Sequence, residues 1–165
     1  MHVEQWMTIN PLTVQPHTSV GLARALLKEH RINQLPVTLK GRLVGIVSDR
    51  DLRDAVGAMC AAVEASGNPP PRRCSVEDIA VEAVMTANAI TVEPHETMER
   101  AAVLMRRDRI GALPVVYRGE LRGILTRTDV LRAYLALASC DRKGQINHVW
   151  EGTYSKPEPP RYAPR

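Results

Sequence analysis

The chain has 165 residues and a formal net charge of +4, and 44% of its residues are hydrophobic. Its basic residues alternate with acidic ones and form no run, so we expect no nucleic-acid partner. No apolar stretch approaches the ~20 residues of a membrane span, and no signal-peptide pattern opens the chain, so we expect a soluble cytoplasmic protein without a membrane contact.

A segment of the first half of the chain recurs in the second half, displaced by 78 positions from Val3 to Val81. The matching stretches are VEQWMT at 3–8 and VEAVMT at 81–86, RINQLPV at 31–37 and RIGALPV at 109–115, and GRLVGIVSDRD at 41–51 and GELRGILTRTD at 119–129. This duplication predicts two pseudo-symmetric halves. At this chain length we expect them to share one core.

Each copy predicts the same elements in the same order. In the first copy, a short helical turn at 3–7 precedes an extended piece at 12–14. An amphipathic helix starts after Ser19, a good N-cap residue, and a hairpin then turns at 40–41. A second helix begins at Ser48, again a capping residue. The second copy repeats these elements 78 residues later. The chain therefore predicts the order β-α-β-β-α twice, which is an α/β (α+β) fold.

The amino-acid composition of the stretches between and after the two copies indicates where each repeat ends. We place repeat 1 at 3–65 and repeat 2 at 75–140. The proline-rich stretch 66–74 predicts an exposed loop, after which Ser75 restarts a helix with a capping-box-like pattern. Further prolines predict an extended tail over 141–165.

A motif that could bind a ligand follows each hairpin. Its members are Gly45, Ser48 and Asp51 in repeat 1, and Gly123, Thr126 and Asp129 in repeat 2. The glycine would let the strand approach a ligand, and a hydroxyl at a helix start suits phosphate. The carboxylate could accept hydrogen bonds from two ribose hydroxyls, so the motif indicates a nucleoside phosphate. A hydroxyl followed three residues later by Asp is also an ordinary helix N-cap, and this alternative stays open.

No set of residues indicates catalysis or a metal. His17 and His95 are equivalent in the two copies, but no Cys, Asp or Glu accompanies either at ligand spacing, so we expect surface histidines. The three cysteines show no metal-binding spacing. We find no nucleophile with a base and no acid pair, so we expect no enzyme activity and no required cofactor.

The ordered set of motifs, occurring twice over about residues 3–137, resembles a tandem pair of cystathionine-β-synthase (CBS) domains, also called a Bateman module. The resemblance implies two pseudo-symmetric repeats packed sheet to sheet, with two clefts between them. In that family the clefts commonly bind adenosine compounds such as AMP, ADP, ATP, S-adenosylmethionine or NAD, and binding regulates an attached or partner protein. Such modules often dimerise through their helices, so we expect a homodimer and a regulated partner.

The family's ligand contacts can be carried over by position. Asp51 and Asp129 would hold ribose hydroxyls, and Ser48 and Thr126 would face phosphate. The adenine pockets would be lined by Thr8, Leu12, Val37, Thr86, Ile90 and Val115.

The two copies differ beside the phosphate-facing hydroxyl. Asp49 follows Ser48, whereas Arg127 follows Thr126. Because a like charge near phosphate weakens binding, we expect the site of Thr126 and Asp129 to be the better anion site, with Arg127 as a ligand contact.

One departure from the family pattern disfavours a triphosphate. Relatives often carry a basic residue shortly before the hairpin proline, but this chain has Asn33-Gln34 and Gly111-Ala112 there. The alternative class of function is a structural, dimerisation and protein-interaction module whose clefts stay empty.

Overall fold

The structure is a computed structural model that describes the backbone of residues 1–66 and 79–141 and the side chains of residues 1–58 and 79–139. The predicted helix start at Ser75, most of the loop before it and the tail lie outside these residues. Within the described residues, no helix is long and apolar enough to cross a membrane.

The two repeats contain the same elements. Repeat 1 has β1 (Thr8–Ile9), α1 (Val20–His30), β2 (Gln34–Leu39), β3 (Arg42–Ser48) and α2 (Asp49–Ser66). Repeat 2 has β4 (Thr86–Ala87), α3 (Met98–Arg107), β5 (Ala112–Tyr117), β6 (Glu120–Thr126) and α4 (Arg127–Asp141). A 3₁₀ turn precedes β1 at Val3–Gln5 and β4 at Val81–Ala83. The predicted order β-α-β-β-α, twice, is confirmed.

Local chemistry explains where these elements begin and turn. The Ser19 hydroxyl accepts a hydrogen bond from the Leu22 N–H at 3.1 Å, which caps α1 as predicted. The Thr97 hydroxyl caps α3 in the same way. Each hairpin turns through two residues with positive φ, Lys40 and Gly41 in repeat 1, as in the type I′ turns that suit tight hairpins.

The strands predicted at 12–14 and 90–92 are wrong in position. Val14 forms only a single parallel bridge with Val37, and Val92 forms the equivalent bridge with Val115. Pro16 and Pro94 follow two residues later and have no N–H with which to extend a ladder. The short strands lie earlier in each copy, at β1 and β4.

Each short strand joins the sheet of the other repeat. β1 pairs antiparallel with β6, with Thr8 opposite Ile124, and the sheet order is β1-β6-β5. β4 pairs antiparallel with β3, with Thr86 opposite Ile46, and the sheet order is β2-β3-β4. The two repeats have therefore exchanged their N-terminal segments.

The exchange also determines how the cores are closed. Val3 lies in the core cluster of repeat 2, whereas Val81 lies in the core cluster of repeat 1, and both are fully buried. The expectation of one shared core is therefore wrong. There are two cores, because each sheet packs its apolar face against its own two helices. Each core includes one fully buried valine from the other repeat, with partly buried neighbours of that valine packed against it.

The exchange explains the repeated glycines at 45 and 123. A Cβ atom on Gly45 would lie 2.8 Å from the Thr86 carbonyl oxygen, and one on Gly123 would lie 2.8 Å from the Thr8 carbonyl oxygen. Real Cβ contacts are essentially never shorter than 3.0 Å. The close approach that these glycines permit is thus to the exchanged strand, rather than to a ligand as the motif suggested.

Gly45→Ala and Gly123→Ala should each lower the free energy of unfolding by about 1–3 kcal/mol, because the added methyl group must displace the exchanged backbone. Gly57→Ala is the matched control, since Gly57 lies exposed within α2 with no atom near its missing side chain. Alanine there should stabilise the helix by about 0.5–1 kcal/mol. Urea denaturation measures all three, and equal effects at positions 45, 57 and 123 would contradict the close-approach explanation.

Candidate functional site

The exchanged strand brings a residue of repeat 1 to the start of α4. Thr8 lies directly opposite Ile124 on β6, and residues opposite each other in an antiparallel pair share one face of the sheet. Because side chains alternate along a strand, Thr126 lies on the same face as Ile124. Thr8 of repeat 1 and Thr126 of repeat 2 therefore line the same face at the same end of the sheet.

The other sheet repeats this arrangement with the roles reversed. Thr86 of repeat 2 lies opposite Ile46 on β3, and Ser48 follows two residues later on the same face. β3 and β6 also contact each other across the pseudo-symmetry axis. Each predicted site therefore draws residues from both repeats.

The two aspartates sit in the first turn of their helices and accept short hydrogen bonds there. Asp129 Oδ2 accepts from the Thr126 N–H at 2.9 Å and from the Thr126 hydroxyl at 2.6 Å. Asp51 Oδ2 accepts from the Ser48 N–H at 2.8 Å and the Ser48 hydroxyl at 2.6 Å. The N-cap interpretation of the motif is confirmed in both repeats.

The cap leaves part of each carboxylate available. Asp129 is only 6% exposed, and its second oxygen, Oδ1, has one long contact of 3.4 Å with Arg132 Nη1. Within the described residues, Asp51 Oδ1 accepts no hydrogen bond from a side chain or loop backbone. One oxygen of each aspartate can therefore accept from a ligand hydroxyl while the other keeps the helix capped.

The same cap limits what the two hydroxyls can do. Because the protons of Ser48 Oγ and Thr126 Oγ1 are donated to the aspartates, these oxygens can only accept further hydrogen bonds. A phosphate needs donors, so a direct contact would require the hydroxyl to turn away from its aspartate. A phosphate at either site therefore needs donors other than the capping hydroxyl.

The charges around the two sites differ. Arg127 and Arg132 flank Asp129 in repeat 2, and the Arg132 guanidinium forms an ion pair with it. In repeat 1, Asp49 takes the position of Arg127, and it forms an ion pair with Arg53, whose Nε lies 2.9 Å from Asp49 Oδ2. That ion pair reduces the repulsion predicted for a phosphate but supplies no free cation beside Ser48. The repeat 2 site therefore has the more positive surroundings.

A contact across the repeats strengthens this difference. A Cβ atom on Gly111 would lie 2.8 Å from Gln34 Nε2 and 3.0 Å from Arg127 Nη2. Gln34 belongs to repeat 1 and Arg127 to repeat 2, so two N–H donor groups converge over the bare glycine. At the equivalent place in repeat 1 stand Asn33, Ala112 and Asp49. In the sequence, only the difference between the two copies at these three positions indicated this contact.

The remaining predicted residues divide into two groups. Leu12 is half-buried against the repeat 1 core, and Ile90 is 39% exposed. Val37 and Val115 are fully buried in the two cores, opposite Gly45 and Gly123 and thus on the sheet face away from Ser48 and Thr126. Their side chains cannot line a cleft on the other face. The predicted role of these two side chains is therefore corrected. The strand residues on the face of Ser48 and Thr126 are Pro36, Ile46, Pro114 and Ile124.

His17 and His95 each meet an acidic residue of the other repeat. His17 Nδ1 lies 3.5 Å from Glu82 Oε1, and His95 Nδ1 lies 3.5 Å from Glu4 Oε2. These exposed pairs lie beside the exchanged segments. No group of three or more potential metal ligands converges within the described part of the chain.

A groove of about 630 Å³ lies on the outer side of repeat 1, between α1 and the start of α2. Arg24, Lys28, Arg31 and Asp49 are among its lining residues. None of the predicted ligand contacts lines it.

Comparison with known proteins identifies the fold that produces this geometry. The family model for the CBS domain matches the chain twice, at residues 3–58 and 76–136. The chain belongs to the CBS-domain family, as a tandem pair. Proteins with such a pair are generally regulated through it, and the sequence-based assignment is confirmed.

Solved structures of CBS pairs agree with the fold. CBSX2 in complex with AMP has a TM-score of 0.68 and 33% identity, covering 83% of this chain and 98% of that chain. The CBS domain pair of protein MJ0100, in complex with 5′-methylthioadenosine and S-adenosyl-L-methionine, has a TM-score of 0.65 and 27% identity. It covers 83% of this chain and 98% of that one.

A curated relative shows the same pair inside a larger protein. Inosine-5′-monophosphate dehydrogenase of Korarchaeum cryptofilum is 34% identical over 145 residues. The match covers 87% of this chain but only 26% of that enzyme. The similarity therefore concerns a part of the dehydrogenase.

The helix caps can be tested without a ligand. Ser48→Ala and Thr126→Ala should each lower the free energy of unfolding by about 0.5–2 kcal/mol, because each removes a capping hydroxyl. Thr128→Ala is the control, since Thr128 is exposed one position before Asp129 and should change stability by less than about 0.5 kcal/mol. Urea denaturation is the measurement, and a cap variant as stable as the control would contradict this geometry.

Proposed function

We propose that this CBS pair is a non-catalytic sensor that binds an adenosine-containing ligand in the clefts between its repeats and signals occupancy to a partner protein. The ligand class is AMP, ADP or ATP, with S-adenosylmethionine and NAD as further members, and no resident cofactor is needed. AMP and S-adenosylmethionine in the structures of similar CBS pairs support this class.

The observation that carries the proposal is the composite origin of each cleft. A ligand held by Asp129 of repeat 2 and by the β1 segment of repeat 1 contacts both halves of the module. Asp129 Oδ1 would accept from the ribose, and Thr8 and Leu12 would adjoin the base. In the second cleft, Asp51 would take the place of Asp129, with Thr86 and Ile90 beside the base.

The repeat 2 cleft is the principal anion site in this proposal. Arg127 and the Gln34 amide provide donors where the capped Thr126 hydroxyl cannot. A guanidinium pairs with phosphate through charged hydrogen bonds, which are stronger than neutral ones. The repeat 1 cleft, with Asp49 in place of Arg127, would favour a neutral nucleoside.

Signalling follows from differential binding to two arrangements of the repeats. A ligand that contacts both repeats stabilises the arrangement in which those contacts are best, and the population shifts toward it. The extent of the shift is limited by the difference in affinity between the two arrangements. A partner protein would read the resulting surface.

A second copy of the chain is part of the proposal. Leu131, Tyr134, Leu135 and Leu137 of α4 are each more than half exposed. Leu131, Tyr134 and Leu135 lie on one helix face, which is a large apolar surface for a monomer. This face favours the alternative function of a structural and dimerisation module as well. Sedimentation velocity would distinguish a homodimer from the 18.3 kDa monomer.

Ligand binding can be measured as a thermal shift with AMP, ADP, ATP, S-adenosylmethionine and NAD. A ligand present at about 100 times its dissociation constant adds about 2.7 kcal/mol, which raises the melting temperature by several degrees. Asp129→Asn should weaken AMP binding about 10- to over 100-fold, because it removes a hydrogen bond to a charged group. Asparagine keeps an acceptor for the cap, so the fold should survive.

Two further variants locate the binding. Asp51→Asn is the matched control in the other repeat, and it should weaken AMP binding less than Asp129→Asn does. Arg127→Asp introduces the residue that repeat 1 has at the equivalent position. It should weaken AMP binding several-fold and leave the affinity for adenosine unchanged. If no ligand raises the melting temperature, the clefts are empty and the structural module is the correct function.

A further inference from the structure

The tips of the two hairpins meet at the end of the molecule away from the clefts. They line a groove of about 370 Å³ that includes Lys40, Gly41, Arg42, Arg118, Gly119 and Glu120. β3 runs for 7 residues from Arg42 at the groove to Ser48 at the cleft, which is about 20 Å of extended chain. The groove is therefore separate from both ligand sites, although the same strands connect them.

The groove carries an excess of positive charge. Lys40, Arg42 and Arg118 line it, and none of the three forms an ion pair with another described residue. Its one acidic residue, Glu120, is already paired with Arg122 at 2.8 Å. Three cations from two repeats thus face a groove whose only carboxylate is neutralised.

The turn geometry places a cation at the equivalent point of each tip. Lys40 has a φ of 50° and Arg118 a φ of 53°, both in the left-handed region. Gly, Asn and Asp are the residues that usually occupy such turn positions. Here both copies place a basic residue there in spite of the backbone cost, so the same charge is presented at equivalent points of both tips.

One of the cations is held in place by its neighbours. The Arg118 guanidinium carbon lies 5.2 Å from the centroid of the Tyr117 ring. The Tyr117 and His95 rings form a T-shaped pair with centroids 5.8 Å apart, and His95 Nδ1 lies 3.5 Å from Glu4 Oε2 of the exchanged segment. A guanidinium restrained in this way loses less freedom when it binds an anion.

We propose that the hairpin groove docks an acidic segment of the partner protein. Charge complementarity favours closely spaced carboxylates, and the open groove at two exposed tips can accommodate an extended peptide lying across both. Because one wall comes from each repeat, the spacing of the cations depends on how the repeats are arranged. The inference rests on the proposed function, in which a partner reads that arrangement.

A hexaglutamate peptide is a suitable probe for the intact protein. In a ¹⁵N NMR titration at low ionic strength, it should shift the amide signals of both Gly41 and Gly119. Lys40→Gln combined with Arg118→Gln should weaken binding about two- to thirtyfold, as expected for the loss of two exposed ion pairs. Lys28→Gln combined with Arg106→Gln is the matched control, since these residues are also equivalent between the repeats and the change in net charge is the same.

Each outcome bears on the proposal. Binding that shifts both glycines and survives in the control variant supports the groove. No shift at the two tips, or equal weakening in both double variants, would overturn it. A parallel titration with AMP, read at the Thr126 and Asp129 amides, tests the ligand-sensing proposal separately. If AMP causes no shift there, the sensor proposal is wrong, but peptide binding in the groove can still stand. If only hexaglutamate fails to bind, the groove proposal alone is wrong.

Discussion

The exchange of N-terminal segments is the constraint on which the rest of this structure depends. Val3 completes the core of repeat 2 and Val81 completes the core of repeat 1, so neither repeat is closed without the other. The segments enter as short strands against Gly45 and Gly123, where any side chain would collide with the exchanged backbone. The two repeats are thereby joined into one unit even though each keeps its own helices and its own core.

The same exchange places the candidate clefts at the boundary between the repeats. Thr8 reaches the face that carries Thr126, and Thr86 reaches the face that carries Ser48, because β1 and β4 cross to the other sheet. A ligand in either cleft would contact both halves, which is what a module needs in order to convert occupancy into a change of arrangement. The pseudo-symmetry gives two such candidate sites, and Arg127 in place of Asp49 makes them chemically different.

Much of this could be predicted from the sequence because it is local or repeated. The helix caps at Ser19 and Thr97 and the hairpin turn at Lys40 depend on neighbouring residues alone. Because the chain repeats with a spacing of 78 residues, each of these local patterns occurs twice. The strands β1 and β4 were missed because two residues give no periodic pattern and their partners lie in the other repeat. Val37 was misplaced, although its pairing with Gly45 and the alternation along β3 put its side chain on the sheet face away from Ser48. The convergence of Gln34 and Arg127 over Gly111 depends on contacts between repeats, which no local pattern reports.

The central claim is that a ligand binds between the repeats and is held by both. The most direct test is a crystal structure of the protein grown with saturating AMP. The account predicts AMP in the repeat 2 cleft, with its ribose on Asp129 and its base beside β1 of repeat 1. AMP bound by residues of only one repeat, or a cleft without AMP at saturation, would contradict it.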